Sequence, residues 1–153
     1  MEIERKFLVK EIPSNLNKYV KEPIAQDYLS FKPEVRLRTR NDKCYLTVKG
    51  EGVFEREEYE TEIKKETYLD LLKKSQGKPI QKDRYIIPLY DGLIAELDLY
   101  KNIEWLKETV EVEFKDIESA RGFKVPLWFG LEVTGRAEYK NKNLAKEYTV
   151  HRL

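Results

Sequence analysis

Arg36, Arg38 and Arg40 recur at every second position of one short segment. Glu58, Glu60 and Glu62 do the same further on, and Glu2, Glu4 and Lys6 keep that rhythm near the start of the chain. Tyr45, Thr47 and Lys49 share it, as do the pairs Lys82 with Arg84, Glu96 with Asp98, and Glu111 with Glu113. Alternate residues of a strand lie on one face, so each set would project to one side. A solvated face normally mixes signs, because like charges on neighbouring positions repel. Faces of nearly one sign cost energy unless each meets its counterpart across a shared space or binds ions. Guanidinium forks hold phosphate oxygens at two points, and clustered carboxylates suit a hard divalent cation such as Mg²⁺. Together the sets describe a site for a metal ion and a polyphosphate.

The elements that must position these residues follow from the same alternation, which is the strand signal. Strands are expected over Glu2–Val9, Ile24–Leu29, Val35–Arg40, Cys44–Lys49, Glu55–Ile63, Arg84–Leu89, Leu93–Tyr100, Thr109–Phe114 and Leu131–Thr134. Asn41-Asp42 and Asp91-Gly92 read as hairpin turns. Helices are short and peripheral: Pro13–Val20, Thr67–Ser75 with Gly77 as its stop signal, Ile117–Phe123 and Asn143–Tyr148. The fold class is therefore mainly β (α+β), a closed eight-stranded antiparallel β-barrel with a charged interior and short peripheral helices. The apolar faces would turn outward and be covered by the helices, with Leu69, Leu72, Leu16 and Tyr19 as cover.

Composition narrows the function classes. The chain has 153 residues, 29 basic and 28 acidic, for a net charge of +1. That length fits one domain over residues 1–153. The near-neutral balance argues against a nucleic-acid partner. Eighteen aromatic residues (ten Tyr, six Phe and two Trp) argue against disorder. No apolar run approaches a membrane span. The single cysteine and the charged N-terminal segment, with no secretory leader pattern, point to the cytoplasm. Cys44 alternates with Leu46 and Val48 and reads as buried and structural, while His151 reads as a surface residue. Trp105 and Trp128 read as packing residues, and Lys140, Lys142 and Lys146 as a solvated face or as cover for one end of the barrel.

Glu2-Ile3-Glu4-Arg5-Lys6-Phe7 is similar to the N-terminal Glu-x-Glu-x-Lys signature of the CYTH superfamily, also called triphosphate tunnel metalloenzymes. The ordered series Arg36-x-Arg38, Lys49, Glu60-x-Glu62, Lys82-x-Arg84, Glu96-x-Asp98 and Glu111-x-Glu113 extends the likeness over the chain. Glu132-Val133-Thr134-Gly135, Tyr139-Lys140-Asn141 and Leu144-Ala145 resemble the family's C-terminal pattern, and Arg136 departs from it by standing where an acidic residue is expected. The resemblance, of the bacterial inorganic triphosphatase type, implies a tunnel of eight antiparallel strands and Mg²⁺ or Mn²⁺ as cofactor. By that analogy Glu2, Glu4, Glu111 and Glu113 hold metal, and Glu60 and Glu62 add acidic character to the same metal set. Lys6, Arg36, Arg38, Lys49 and Arg84 hold phosphates. Lys82 joins them near the rim together with Arg40. Glu4 or Glu113 orients the attacking water, with Lys6 as a further catalytic group.

The leading expectation is a metal-dependent triphosphatase acting on tripolyphosphate, a small-molecule substrate, because so compact a chain leaves little for a nucleoside pocket. A class IV-like adenylate cyclase and a thiamine triphosphatase are the enzymatic alternatives. A polyphosphate- or nucleotide-binding module without catalysis is another, and it would need fewer carboxylates. The last is a structural β protein with charged outer faces. Apolar strand faces are compatible with a homodimer or with cover inside one chain.

Overall fold

The computed structural model describes residues 1–52 and 55–150, with side chains described only as far as Lys146 in the last helix. His151 lies outside the described residues. In chain order the elements are β1 (Glu2–Val9), β2 (Val20–Phe31), β3 (Glu34–Arg40), β4 (Lys43–Lys49), β5 (Glu55–Arg56) and β6 (Glu58–Ile63). Then come α1 (Lys65–Leu72), β7 (Gln76–Pro88), β8 (Ile94–Tyr100), β9 (Glu108–Glu113), α2 (Ile117–Arg121), β10 (Phe129–Glu132) and α3 (Asn141–Val150).

The strands hydrogen-bond in the order β10-β1-β9-β8-β7-β2-β3-β4-β6, all antiparallel, and β5 pairs back onto β1 through Glu2↔Arg56 and Ile3↔Glu55. With β5 and β6 counted as one strand interrupted at Glu57, eight strands close a ring and β10 flanks β1 at its other end. Asn41, Asp42, Asp91 and Gly92 all have positive φ, the backbone that tight two-residue hairpins require. Among the described residues no helix is long and apolar enough to cross a membrane.

The hydrophobic clusters lie on the outside of the wall and over one end. Ile3, Phe7, Ile87, Ala95, Leu97, Val110 and Val112 turn outward and are buried with Phe114, Ala120, Phe123 and Phe129 from α2 and its flanks. Leu16 and Tyr19 pack against this cluster. On the opposite side Leu37 and Cys44 are buried under α1 by Tyr68, with Leu71 and Leu72 beside it. At one end, Tyr28, Ile80 and Tyr100 pack beneath Leu144 and Ala145 of α3, so the charged interior stops against an apolar floor.

Several elements differ from the sequence reading. Pro13–Val20 forms only a 3₁₀ turn at Leu16–Lys18, because Val20 belongs to β2 and Asn15 supplies no side-chain cap. β2 begins four residues before the expected Ile24 and runs through Pro23, where β3 has already ended and one flank needs no N–H donor. β7 begins at Gln76 rather than Arg84: the stretch between Gln76 and Ile80 bulges against β2, which accommodates Gly77 and Pro79. Gly77 is therefore no helix stop. Its φ of +69° and a Cβ position only 2.8 Å from the Ala145 carbonyl oxygen mark where α3 crosses β7. Leu69 is exposed, and Tyr68 provides the cover expected of it. Trp105 is half exposed against Tyr139, and Trp128 packs on Phe129.

Candidate active site

One cavity of about 220 Å³ occupies the interior of the ring and is lined by nine cations and eight carboxylates, with Tyr28 and Asn141. Most of each sign gathers on particular strands, although β1 also carries Lys6 and β3 also carries Glu34. β1 and β9 contribute Glu2, Glu4, Glu111 and Glu113, and β8 adds Glu96. β3 contributes Arg36, Arg38 and Arg40. In the ring β3 stands four strands from β9 in either direction, so the arginines face the glutamates across the bore.

Cross-strand register sets the acidic wall. Glu4 lies opposite Glu113, and Lys6 opposite Glu111. The Glu4 and Glu111 carboxyls repel each other, which favours a proton on Glu4. Burial raises the Glu4 carboxyl well above its ordinary range, and the charges of Glu111 and Glu2 add to this. Burial opposes ionisation of Glu111 too, but Lys6, the Glu4 hydrogen bond and Arg84 hold it well below the usual carboxylate range. Glu113 is raised by burial and by the charges of Glu2 and Glu96. Burial also works against ionised Glu2, yet the Glu58 hydrogen bond, Lys49 and Arg56 bring it down to about 2.

The basic wall is incompletely paired. Arg36 Nε and Arg38 Nε are buried without a hydrogen-bond partner. Arg38 Nη2 donates to Glu60 at 2.9 Å, and Thr47 holds the same carboxylate oxygen at 2.7 Å. Burial and neighbouring Arg36 lower the Arg38 guanidinium to about 10. Lys49 Nζ lies 3.2 Å from Glu2 and 3.3 Å from Glu58. Arg84 holds both oxygens of Asp98 and also reaches Glu96 at 3.0 Å.

The sequence-derived residues are distributed unevenly. Glu2, Glu4, Lys6, Arg36, Arg38, Arg40, Lys49, Glu60, Arg84, Glu111 and Glu113 all line the one cavity. Glu60 stands on the basic side with Arg38, apart from the four glutamates of β1 and β9. Glu62 is largely exposed and 4.0 Å from Lys43, outside the cavity lining. Lys82 is not at the rim: it is fully buried, 2.7 Å from Asp98 and over the Tyr100 ring. Glu34, Arg56, Glu58, Glu96, Lys140 and Lys142 complete the lining. Glu34 and Arg56 continue the alternation of Arg36 and Glu58 by one step towards the N-terminus, a signal that the sequence carries.

A second set of contacts fixes β1 from outside. Arg5 donates to both oxygens of Glu132, at 2.9 and 2.6 Å, and to the Ala120 carbonyl at 2.8 Å. Thr134 donates to Glu132 and accepts from the Lys6 main-chain N–H at 2.9 Å. The Lys6 ammonium donates to the Tyr139 carbonyl at 2.6 Å, which brings Lys140 and Asn141 over the cavity.

Among the described residues no three His, Cys, Asp or Glu side chains are gathered as a ready metal shell. The donor chemistry nevertheless fits a hard divalent ion. Glu2, Glu4, Glu111 and Glu113 are hard oxygen donors whose mutual repulsion adds to burial in raising Glu4 and Glu113, and a cation among them would relieve it.

A family model described as the CYTH domain matches residues 1–126. A protein of Nitrosomonas europaea named inorganic triphosphatase is 40% identical over 147 residues, 94% of this chain and 96% of its own length. One of Acetivibrio thermocellus with the same name is 38% identical over 150 residues, 95% of this chain and 93% of its own. The crystal structure of the inorganic triphosphatase NE1496 superposes with a TM-score of 0.68 at 37% identity, covering 94% of this chain and 97% of that one. HpAC1 from Hippeastrum, at 20% identity and a TM-score of 0.60 over 80% of this chain and 83% of its own, shares the fold. From the matched model, the two relatives and the charged bore, the chain belongs to the CYTH domain family.

Proposed function

We propose that this chain is a metal-dependent triphosphatase that hydrolyses inorganic triphosphate within its barrel, acting as one domain over residues 1–153. The observation that carries the reading is one cavity in which arginines of β3, two of them with buried unpartnered N–H groups, face the glutamates of β1 and β9 across the bore. A chain of phosphates satisfies the arginines, and a divalent cation the glutamates. The names of the two relatives that align over nearly their full length agree with it.

In this reading Arg36, Arg38, Lys49, Lys6 and Arg84 bind phosphate oxygens, and buried Lys82 adds positive charge behind them. Their forks and ammonium groups hold the chain in line and offset the charge of the terminal phosphoryl group as it transfers. Glu2, Glu4, Glu111 and Glu113 would hold Mg²⁺ or Mn²⁺, which supplies charge neutralisation and a more acidic bound water. Glu4, raised by its surroundings, or Glu113 accepts the proton of the attacking water and aims its oxygen at the phosphorus. Glu60 fixes Arg38 instead of serving the metal. We place the protein in the cytoplasm with a small-molecule substrate and neither nucleic-acid nor membrane partner.

The test is a comparison of substrates at fixed protein and metal concentration: tripolyphosphate, ATP and thiamine triphosphate, with phosphate and cyclic AMP both measured. Phosphate from tripolyphosphate in clear excess over the organic substrates is expected. Cyclic AMP from ATP would assign the chemistry to a cyclase instead.

A further inference from the structure

We infer that Arg56 is a further phosphate-binding residue, held ready for the substrate by Glu2 and Glu34. This rests on the phosphate-chain reading above and adds to the basic set a residue on the strand that closes the ring.

Arg56 belongs to the two-residue β5 and lies opposite Glu2 where β5 pairs with β1. It shares a face with Glu58 and lines the same cavity as Arg36 and Lys49. Its contacts differ in kind from those of the arginines that tie the wall together. Arg84 closes a fork on Asp98, at 2.8 and 3.0 Å, and Arg5 closes one on Glu132. Arg56 instead reaches two carboxylates with one nitrogen each: Nε to Glu2 at 3.2 Å and Nη1 to Glu34 at 3.3 Å. The same oxygen of Glu2 also faces Lys49 at 3.2 Å, so one carboxylate oxygen serves two cations.

Single, lengthened contacts of this sort are cheap to exchange for the paired oxygens of a phosphate, which match the guanidinium fork. Lys140 and Lys142 line the same cavity, and burial, then the charges of Lys142 and Arg56, lower the Lys140 ammonium. An anion bound among these cations relieves that repulsion. Glu34 is the counterpart of this arrangement. A buried carboxylate inside an anion site opposes substrate, and its contact with Arg56 gives it a role as tether.

The experiment measures tripolyphosphate binding by titration calorimetry on the full chain, in chelator and again with Mg²⁺, for wild type, R56Q, R56K and E34Q. Melting curves without ligand establish that each variant is folded. R56Q is expected to weaken binding by about 10- to 100-fold, and R56K to recover part of it through its charge without the fork. E34Q is expected to bind as tightly as wild type or more tightly, since it removes a negative charge from the site. R56Q binding within about threefold of wild type, well under the loss of a charge-assisted contact, would overturn the inference. So would E34Q losing as much affinity as R56Q, because a purely structural tie fails alike from either end. If R56Q does not fold, R56K decides: undiminished affinity in that variant overturns the inference. A wild-type chain that binds no tripolyphosphate under either condition would instead remove the phosphate-chain reading itself.

Discussion

Arg84 holds both carboxylate oxygens of Asp98, at 2.8 and 3.0 Å, while Lys82 reaches the same carboxylate from behind at 2.7 Å. All three side chains are buried, so one negative charge anchors two positive ones inside the wall. Removing one member of a buried ionic set costs about 3–5 kcal/mol, because the remaining charges stay buried and uncompensated. Asp98→Asn should therefore lower the unfolding free energy by roughly that amount in a urea titration. Burial opposes the ionised Asp98, but Arg84 and Lys82 prevail and hold its carboxyl below the ordinary value. Its stabilising contribution is thus complete above the unfolded carboxyl pKa, about 3.9, and is lost as pH falls through the lower folded value. A variant as stable as wild type at pH 7 would contradict this reading of the anchor.

Lys82 should impose a pH limit on substrate binding. Burial lowers its ammonium, Asp98 restores part of the loss and Arg84 deepens it, leaving about 8. As pH rises through that value the basic wall loses a charge, and KM for tripolyphosphate should rise. K82R keeps its charge over this range, so its KM profile should lack the inflection. For stability the sign is opposite: between pH 8 and the unfolded value, about 10.4, the unfolded chain binds more protons, so this group's contribution grows with pH. An unchanged inflection in K82R would assign it to another group.

Glu4 carries the clearest separation between stability and activity. Burial, and then Glu111 and Glu2, raise its carboxyl, so its contribution to stability is present below the ordinary carboxyl pKa and lost as pH rises through the folded value. Glu4→Gln preserves shape and removes that cost. The metal-free chain should melt higher at pH 7, by about 2–4 °C per kcal/mol gained. The same substitution should cut turnover by about 100-fold or more and abolish the Mg²⁺-induced rise in melting temperature. A variant that keeps both turnover and its response to Mg²⁺ would exclude Glu4 from the metal and water chemistry.

Gly77 tests the placement of α3 over the bore. An alanine there must adopt φ near +69° and would bring its Cβ within 2.8 Å of the Ala145 carbonyl. Gly92 has a similar φ of +73° but open space around it, so it separates backbone strain from collision. Gly92→Ala should cost about 1–2 kcal/mol. Gly77→Ala should cost more and, by shifting α3, should also weaken tripolyphosphate binding through Lys140 and Asn141. Equal costs in chemical denaturation would mean that the contact with α3 carries no weight.

The strands and their shared interior were legible because alternation reports directly which residues face one way. Arg36, Arg38 and Arg40 on β3 and Glu111 and Glu113 on β9 needed only that rule. Ring closure was legible as a consequence of sign segregation, since opposite faces must meet. Gly77 and Pro79 hid the start of β7, because a bulge tolerates residues that a regular ladder rejects. The Arg5–Glu132 fork was not legible at all: its partners are 127 residues apart, and only β10 lying against β1 joins them. Lys82 was misplaced to the rim because strand alternation gives the face but not the depth along the barrel.

The most direct measurement is phosphate release from tripolyphosphate by the wild-type chain, with Mg²⁺ or Mn²⁺ and then after chelation. The account predicts rapid release that stops with chelator and returns with added metal. Release that continues undiminished in chelator, or none from a folded chain with either metal, would contradict it.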